Sequence, residues 1–437
     1  MTGLPTTHFT PPQGYMNDPH GLVRFDDQYH LFYQYNPNAQ QWGTPHWGHA
    51  TSPDLLRWEH QPIALTPAPG GPSADGCWSG TAVDVGARYP FLVFTGVTNG
   101  ADGSRSETTC VAESIDGMTW RCTTASPVLA PPLELSGGDF RDPFIWTSGG
   151  RWWQVLGSGS RDGGRVLLYS GDSLNAWKAE GVLFAGKTTT AAVMEVWECP
   201  QLLRFGEVTV LIVSSLRDGT PGVTMWFAGT VVDDALVVSR HGRLDFGSCL
   251  YAPTTAPVDE RTHVMFAWAR EEHELQDRPQ GALTYPRHLT WEAVQGLVSS
   301  PIPALATLHT AQLEASVVDG ALAYPTGAHP FHLKLSAPES TTHCTIAFGE
   351  DARNKQATLT LDMNRATAVL ERSGTVDALS MPIDRVSDVD VYLDGSLLEV
   401  HTCGRSLTTR LQPAHPNSST RVTVSGAPLA TLAIWTL

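Results

Sequence analysis

Short phrases return along roughly the first 300 residues of this chain, and a repeat of that kind fixes the architecture before any single residue is read. One phrase reads Ser52-Pro-Asp54-Leu-Leu-Arg-Trp58, then Ser114-Ile-Asp116-Gly-Met-Thr-Trp120, then Ser170-Gly-Asp172 through to Trp177, at intervals of roughly 60 residues. Each copy follows a β-rich run, so it reads as a strand-connecting turn whose Ser or Asp caps the backbone and whose Trp packs inward. A second phrase recurs out of phase. Asp18-Pro19 leads into Gly21–Phe25, an Asp-Asp turn and Tyr29–Tyr33. Asp142-Pro143 leads into Phe144–Trp146, a Ser-Gly-Gly turn and Arg151–Val155. Glu198-Cys-Pro200 leads into Leu202–Phe205, a Gly-Glu turn and Val208–Val213. Weaker copies open at Ser79-Gly80 and at Tyr251-Ala-Pro253. Five units of roughly 55 to 63 residues, each opening on a hairpin and each with room for four strands, predict an all-β fold: a five-bladed β-propeller.

The pattern changes near residue 295. Val298-Ser-Ser-Pro-Ile-Pro303 reads as a linker. Beyond it lie shorter alternating runs, such as Ala357–Leu361 and Val389–Leu393, the latter meeting the turn pair Asp394-Gly395. The predicted organisation is a propeller over 1–295, a linker over 296–309 and a C-terminal β-sandwich over 310–437. Composition agrees: 40 Gly, 31 Pro and 14 Trp in a chain with only 16% charged residues suit many short strands joined by turns.

In a propeller the first strand of each unit lines the central axis, so equivalent positions converge at one end of it. That argument puts Asp18, Asp142 and Glu198, at the same place in units one, three and four, in one funnel. An Asp-Pro pair alone is an ordinary turn opener. Three aligned carboxylates are another matter, because like charges gathered at one point are costly unless a function holds them there. Retaining glycosidases need such groups: one carboxylate to attack the anomeric carbon, and one carboxyl kept protonated to serve the leaving oxygen and then water. A third nearby raises the acid's pKa and holds hydroxyls. Tyr15–His20, Gln34–Pro37 and Trp42–His49 add amides, imidazoles and indoles suited to sugar. Trp47 is as well placed for core packing, whereas Trp42 follows Gln-Gln in a loop.

Tyr15-Met-Asn-Asp-Pro-His-Gly21, Phe140-Arg-Asp-Pro143 and Trp197-Glu-Cys-Pro200 resemble the three signature motifs of glycoside hydrolase family 32, the invertases, fructanases and sucrose-6-phosphate hydrolases. Gln34–Pro37, Trp78-Ser-Gly80, Gly281–Arg287 and Val391–Val400 extend the resemblance over the whole chain. The resemblance implies a retaining β-fructofuranosidase with Asp18 as nucleophile, Glu198 as acid/base and Asp142 as transition-state stabiliser beside Arg141. It implies fructosyl contacts from Asn17, Gln34, Trp42, Ser79 and Arg141, and neither a metal nor a cofactor. The partner is then a small sugar, sucrose or a short fructan. Two positions depart from the pattern: His20 where Asn is usual, and Trp78 where Phe is usual. Both are expected near the fructosyl site, either bearing on acceptor choice and pH response or neutral.

The motifs leave hydrolysis, fructosyl transfer and fructan exohydrolysis open, since all share one intermediate. Sucrose 6-phosphate is a further donor, for which Arg105, Arg161 and Arg217 are basic candidates. An inactive sugar-binding propeller is disfavoured because all three carboxylates are present, and Asn-Asp-Pro with Glu-Cys-Pro favours fructosides over arabinosides. A net charge of -16 argues against nucleic acid and anionic membranes as partners. Seven scattered cysteines with no CxxC pair, and an N-terminus without basic or apolar leader regions, give a cytoplasmic reading.

Overall fold

The computed structural model describes every residue except 1–3, 133–138, 160–162, 187–194, 272–278, 319–320, 328, 339, 350–354, 387, 413–420 and 427–430. The chain divides into two compact units: residues 11–243 with 251–297, and residues 1–10 with 244–250 and 298–437.

The larger unit holds the five-bladed propeller except for Leu250 and residues 298–301, each blade a four-stranded antiparallel sheet in chain order from the innermost strand outward. Blade one holds β1 (Tyr15–Phe25), β2 (Gln28–Asn36), β3 (His46–Ser52) and β4 (Glu59–Leu65). Blade two holds β5 (Gly76–Val83), β6 (Phe91–Asn99), β7 (Arg105–Glu113) and a two-residue β8 (Arg121–Cys122). Blade three holds β9 (Phe140–Ser148), β10 (Arg151–Ser158), β11 (Arg165–Ser173) and β12 (Ala176–Ala185). Blade four holds β13 (Val196–Phe205), β14 (Val208–Arg217), β15 (Thr220–Val232) and β16 (Ala235–Arg243). Blade five holds β17 (Leu250–Asp259), β18 (Thr262–Ala269), β19 (Arg287–Glu292) and β20 (Gly296–Pro301).

The hairpins follow from the turn residues. Asp26-Asp27, Gly149-Gly150 and Asp233-Asp234 are left-handed at both central positions, the type I′ geometry whose twist matches paired strands. Blades pack face to face through alternate apolar residues. Phe32, Trp47, Leu92, Phe94 and Trp120 fill the space between blades one and two, and Val155, Leu168, Trp197, Leu211 and Phe227 that between three and four. Trp47 is therefore core. The Ser-x-Asp phrase does cap turns twice: Asp54 accepts the N–H groups of Leu56 and Arg57, and Asp116 those of Met118 and Thr119. The third copy departs, since Asp172 is exposed and Ser170 instead hydrogen-bonds Glu180.

The ring closes through backbone. Met16 N–H donates to the Gln280 carbonyl and Gln280 N–H to that of Gly14, both at 2.9 Å. Gly281 adopts φ +99°, and a Cβ there would lie 2.1 Å from the Met16 carbonyl oxygen, so only glycine permits this approach.

The smaller unit is the sandwich, a six-stranded and a seven-stranded sheet over a core that includes Leu333, Ile346, Leu359, Val391 and Val400. Residues 1–10 and 244–250, read with the propeller from sequence, belong to this unit. The stretch read as linker carries regular structure: Gly296–Pro301 is β20, whose Leu297 and Val298 are buried, and Pro303–Leu308 forms a short 3-10 helix. Paired prolines and serines suggested a linker, but Ser299 and Ser300 continue the strand once its apolar residues are covered. No helix among the described residues is long and apolar enough to cross a membrane.

Candidate active site

Each innermost strand of the first four blades breaks its pairing register near its start. Two residues, Asn17-Asp18, Trp78-Ser79, Asp142-Pro143 or Cys199-Pro200, oppose a single residue of the neighbouring strand. Such bulges bend a strand and re-aim its side chains, here into one pocket of roughly 630 Å³. Asp18, Asp142 and Glu198 all line it, together with Asn17, Gln34, Trp42, Trp78, Arg141 and Tyr251.

The repeat alignment needs two corrections, the first being that Asp18 is the second residue of its register break whereas Asp142 is the first of its own. Asp142 and Cys199 are the matched residues, each left-handed (φ 59° and 48°) and each before proline; Ala252 of blade five repeats the geometry at φ 46°. Glu198 stands one residue earlier, level with Arg141 in blade three and Tyr251 in blade five. The three neighbours meet: Arg141 Nη1 donates to Glu198 Oε1 at 2.9 Å, and Tyr251 Oη to Glu198 Oε2 at 2.7 Å.

Asp18 is buried and held from behind. Ser79 Oγ donates to its Oδ2 at 3.0 Å, and Gln34 Nε2 reaches Ser79 Oγ at 2.5 Å and Asp18 Oδ2 at 3.4 Å. Asn17 Nδ2 donates to Gln34 Oε1 at 3.4 Å. Ser79 is thus a buttress of Asp18 and not part of the pocket wall. Asp142 accepts the Cys199 N–H at 2.9 Å, while its own N–H donates to Thr95 Oγ1 at 2.8 Å. The Cys199 thiol lies 3.8 Å from Asp18 Oδ2 and 3.6 Å from Asp142 Oδ2. Burial, then the Glu198 charge, pushes Asp18 up to about 7 and Asp142 up to about 8. Hydrogen bonds from Asn17, Ser79 and Cys199 oppose this at Asp18, as do the Arg141 charge and the Cys199 N–H at Asp142. The free pocket therefore holds protons near neutral pH.

Around the lip, Trp42 is 55% exposed and meets Trp78 edge-on at 6.2 Å. Two guanidinium groups lie over the Trp78 ring, Arg105 at 5.0 Å and Arg141 at 4.9 Å. His20 is not among the lining residues. Its ring packs 3.9 Å from Trp47, neither nitrogen has a hydrogen-bond partner among the described residues, and burial pushes its pKa down to about 3. Arg105 reaches the pocket, Arg217 does not line it, and Arg161 lies outside the described residues. Among the described residues no group of His, Cys, Asp and Glu is arranged to hold a metal ion.

Four contributors carried no sequence expectation of a role in the site: Tyr251, Thr95, Cys199 and Glu107. Tyr251 had a signal, because it precedes Ala252-Pro253 as Glu198 precedes Cys199-Pro200. Glu107 had none, since it comes from the third strand of its blade.

Residues 8–301 match the glycosyl hydrolases family 32 N-terminal domain. The chain belongs to glycoside hydrolase family 32. This family 32 chain is 34% identical to a sucrose-6-phosphate hydrolase of Escherichia coli over 61% of its own length and 57% of that protein's. It is 36% identical to a raffinose invertase of Escherichia coli over 66% of its length and 62% of that protein's. The alignments thus span less than two thirds of those two relatives. A sucrose-6-phosphate hydrolase of Bacillus subtilis is 29% identical over 98% of the chain and 93% of that protein. Among solved structures, a GH32 β-fructofuranosidase of Bombyx mori superposes with a TM-score of 0.86 at 26% identity, covering 99% of this chain and 94% of that one. A family 32 structure from Bifidobacterium adolescentis gives 0.86 at 22% identity, covering 100% and 82%, a likeness of fold.

Proposed function

We propose that this family 32 protein is a retaining β-fructofuranosidase that releases terminal β-D-fructofuranosyl residues from sucrose or short fructans. The observation that carries the reading is the convergence of Asp18, Asp142 and Glu198 from three blades on one pocket, each in a different hydrogen-bonding environment.

In this mechanism the Asp18 carboxylate attacks the anomeric carbon while the bond to the leaving oxygen breaks. Glu198, the least enclosed of the three, gives its proton to that oxygen. The ionised Glu198 then takes a proton from water, whose oxygen attacks the same carbon and frees Asp18. Two inversions make a retention. Ser79 and Gln34 stabilise the ionised Asp18, and Asp142, Arg141, Asn17 and Trp42 grip the fructosyl hydroxyls and ring. We assign the reaction to the cytoplasm, since seven cysteines outside any disulfide suit a reducing compartment. Sucrose 6-phosphate is a second candidate donor, favoured by the names of the relatives.

The test is product analysis by chromatography after incubation with sucrose, sucrose 6-phosphate, inulin and levan, with Asp18→Asn in parallel. Free fructose is expected, with the rate falling at least ~10³-fold in the variant while its circular dichroism is unchanged. Near-normal turnover by Asp18→Asn refutes the mechanism.

A further inference from the structure

We propose that Glu107 is a positioning residue for catalysis: it neutralises Arg141, so that Arg141 can touch the general acid Glu198 without stripping its proton. The inference rests on the β-fructofuranosidase reading and adds a part to it.

The conflict to be resolved is visible in the geometry. A general acid has to reach the substrate protonated, yet Glu198 lies 2.9 Å from a guanidinium that can never lose its charge. An opposite charge at that distance drives a carboxyl toward ionisation. Some group has to offset the Arg141 charge, and Glu107 is built to do so. It reaches across from β7 of blade two, 5% exposed, and takes the guanidinium in a fork: Nε to Oε2 at 3.1 Å and Nη2 to Oε1 at 2.9 Å. It also accepts the Phe140 N–H at 2.9 Å, which fixes the backbone one residue before Arg141. Asp139 adds a second, more exposed carboxylate on Nη2. The Trp78 ring closes one face of the guanidinium. Only Nη1 is turned to Glu198, so the arginine offers it a single hydrogen bond from an ion whose charge is already matched.

The other groups around the pair do not replace Glu107. Tyr251 donates to Glu198, which favours the ionised form. Asp142, the next residue in the chain, also feels the Arg141 charge, but its carboxylate is engaged by the Cys199 N–H, as that of Asp18 is by Ser79, whereas Glu107 holds the guanidinium itself. Arg105 pairs with Glu107 at 2.8 Å and would remain beside Arg141 if that carboxylate were lost. Glu107→Gln keeps the shape and removes the charge. Two guanidinium groups then lean on Glu198 with Asp139 alone to offset them.

The experiment follows Glu198 directly. The protein is labelled with ¹³C at glutamate side-chain carboxyls, the Glu198 signal is assigned by its loss in Glu198→Gln, and its titration is compared in wild type, Glu107→Gln and Asp139→Asn. The pH dependence of kcat/KM on sucrose is measured on the same samples. In Glu107→Gln the Glu198 midpoint and the alkaline limb should both move down by at least one pH unit, and Asp139→Asn should move them the same way by less. Glu107→Asp should restore part of the shift. A Glu198 midpoint unmoved in folded Glu107→Gln overturns the inference and leaves the fructosidase reading standing. A moved midpoint in a protein that releases no fructose from any donor upholds the charge balance and overturns the reaction.

Discussion

Asp142→Asn should stabilise the folded protein, and increasingly so as pH rises. The carboxyl is enclosed, and burial followed by the Glu198 charge raises it to about 8. In an unfolded chain an aspartate titrates near 3.9. Between those values the folded state keeps a proton that the unfolded state releases. Stability contributed by the protonated form is then fully present below about pH 4 and lost as pH rises toward 8, at about 1.4 kcal/mol per pH unit. The amide carries no such penalty and keeps an oxygen to accept the Cys199 N–H. Variant and wild type should therefore unfold alike near pH 4 and diverge by about 3 kcal/mol between pH 5 and pH 7. For a unit of this size that is roughly 5 °C in Tm. Urea unfolding followed by tryptophan fluorescence at pH 4, 5, 6, 7 and 8 measures the gap. A gap that stays constant or narrows with rising pH refutes the claim that Asp142 is held protonated by its surroundings.

Two further outcomes bear on the acid and on the first departure from the family pattern. Tyr251→Phe removes the 2.7 Å hydrogen bond to Glu198, so the alkaline limb of kcat/KM should move up by a few tenths of a pH unit to about one unit, opposite in sign to Glu107→Gln; a downward shift contradicts the assignment of donor and acceptor. His20→Asn should leave both limbs of the pH profile in place between pH 5 and 9, because burial already keeps His20 neutral throughout that range; a displaced limb would show that His20 titrates with the reaction.

The sequence was legible where it repeated. Asp-Pro, Asp-Pro and Glu-Cys-Pro at the heads of like units located three blades and three carboxylates, and the turn pairs Asp26-Asp27 and Gly149-Gly150 located hairpins. It was less legible where the repeat is inexact. The one-residue offset of Glu198 from Asp142 is spelled only by the distance to the following proline, one residue for Asp142 and two for Glu198, and the shared acidic character masks it. Trp78 could be flagged as unusual, but not that Arg105 and Arg141 both lie over its ring, because those residues come from other strands. Glu107 is the extreme case: its partner lies across a blade boundary, and no local pattern marks a carboxylate that pairs at long range. His20 misleads in the other direction. Two residues from Asp18 in sequence, it faces Trp47 in the core, and the register break in β1 is what turns the neighbours apart.

The closure between Gly14, Met16 and Gln280 has a consequence for how such a chain can be recognised as competent. Asp18, Asp142 and Glu198 belong to three different sheets, so no strand pairing holds any two at a working distance. Asp142 and Glu198 are tied across one blade boundary by the Cys199 N–H and the Arg141 guanidinium, whereas the distance of Asp18 from both is a property of the circumference, completed where the first and last blades join. A chain cut short before residue 280 would still carry the three signature motifs at Tyr15–Gly21, Phe140–Pro143 and Trp197–Pro200. It would be an open arc, its three carboxylates correctly spelled and Asp18 no longer held by a closed ring.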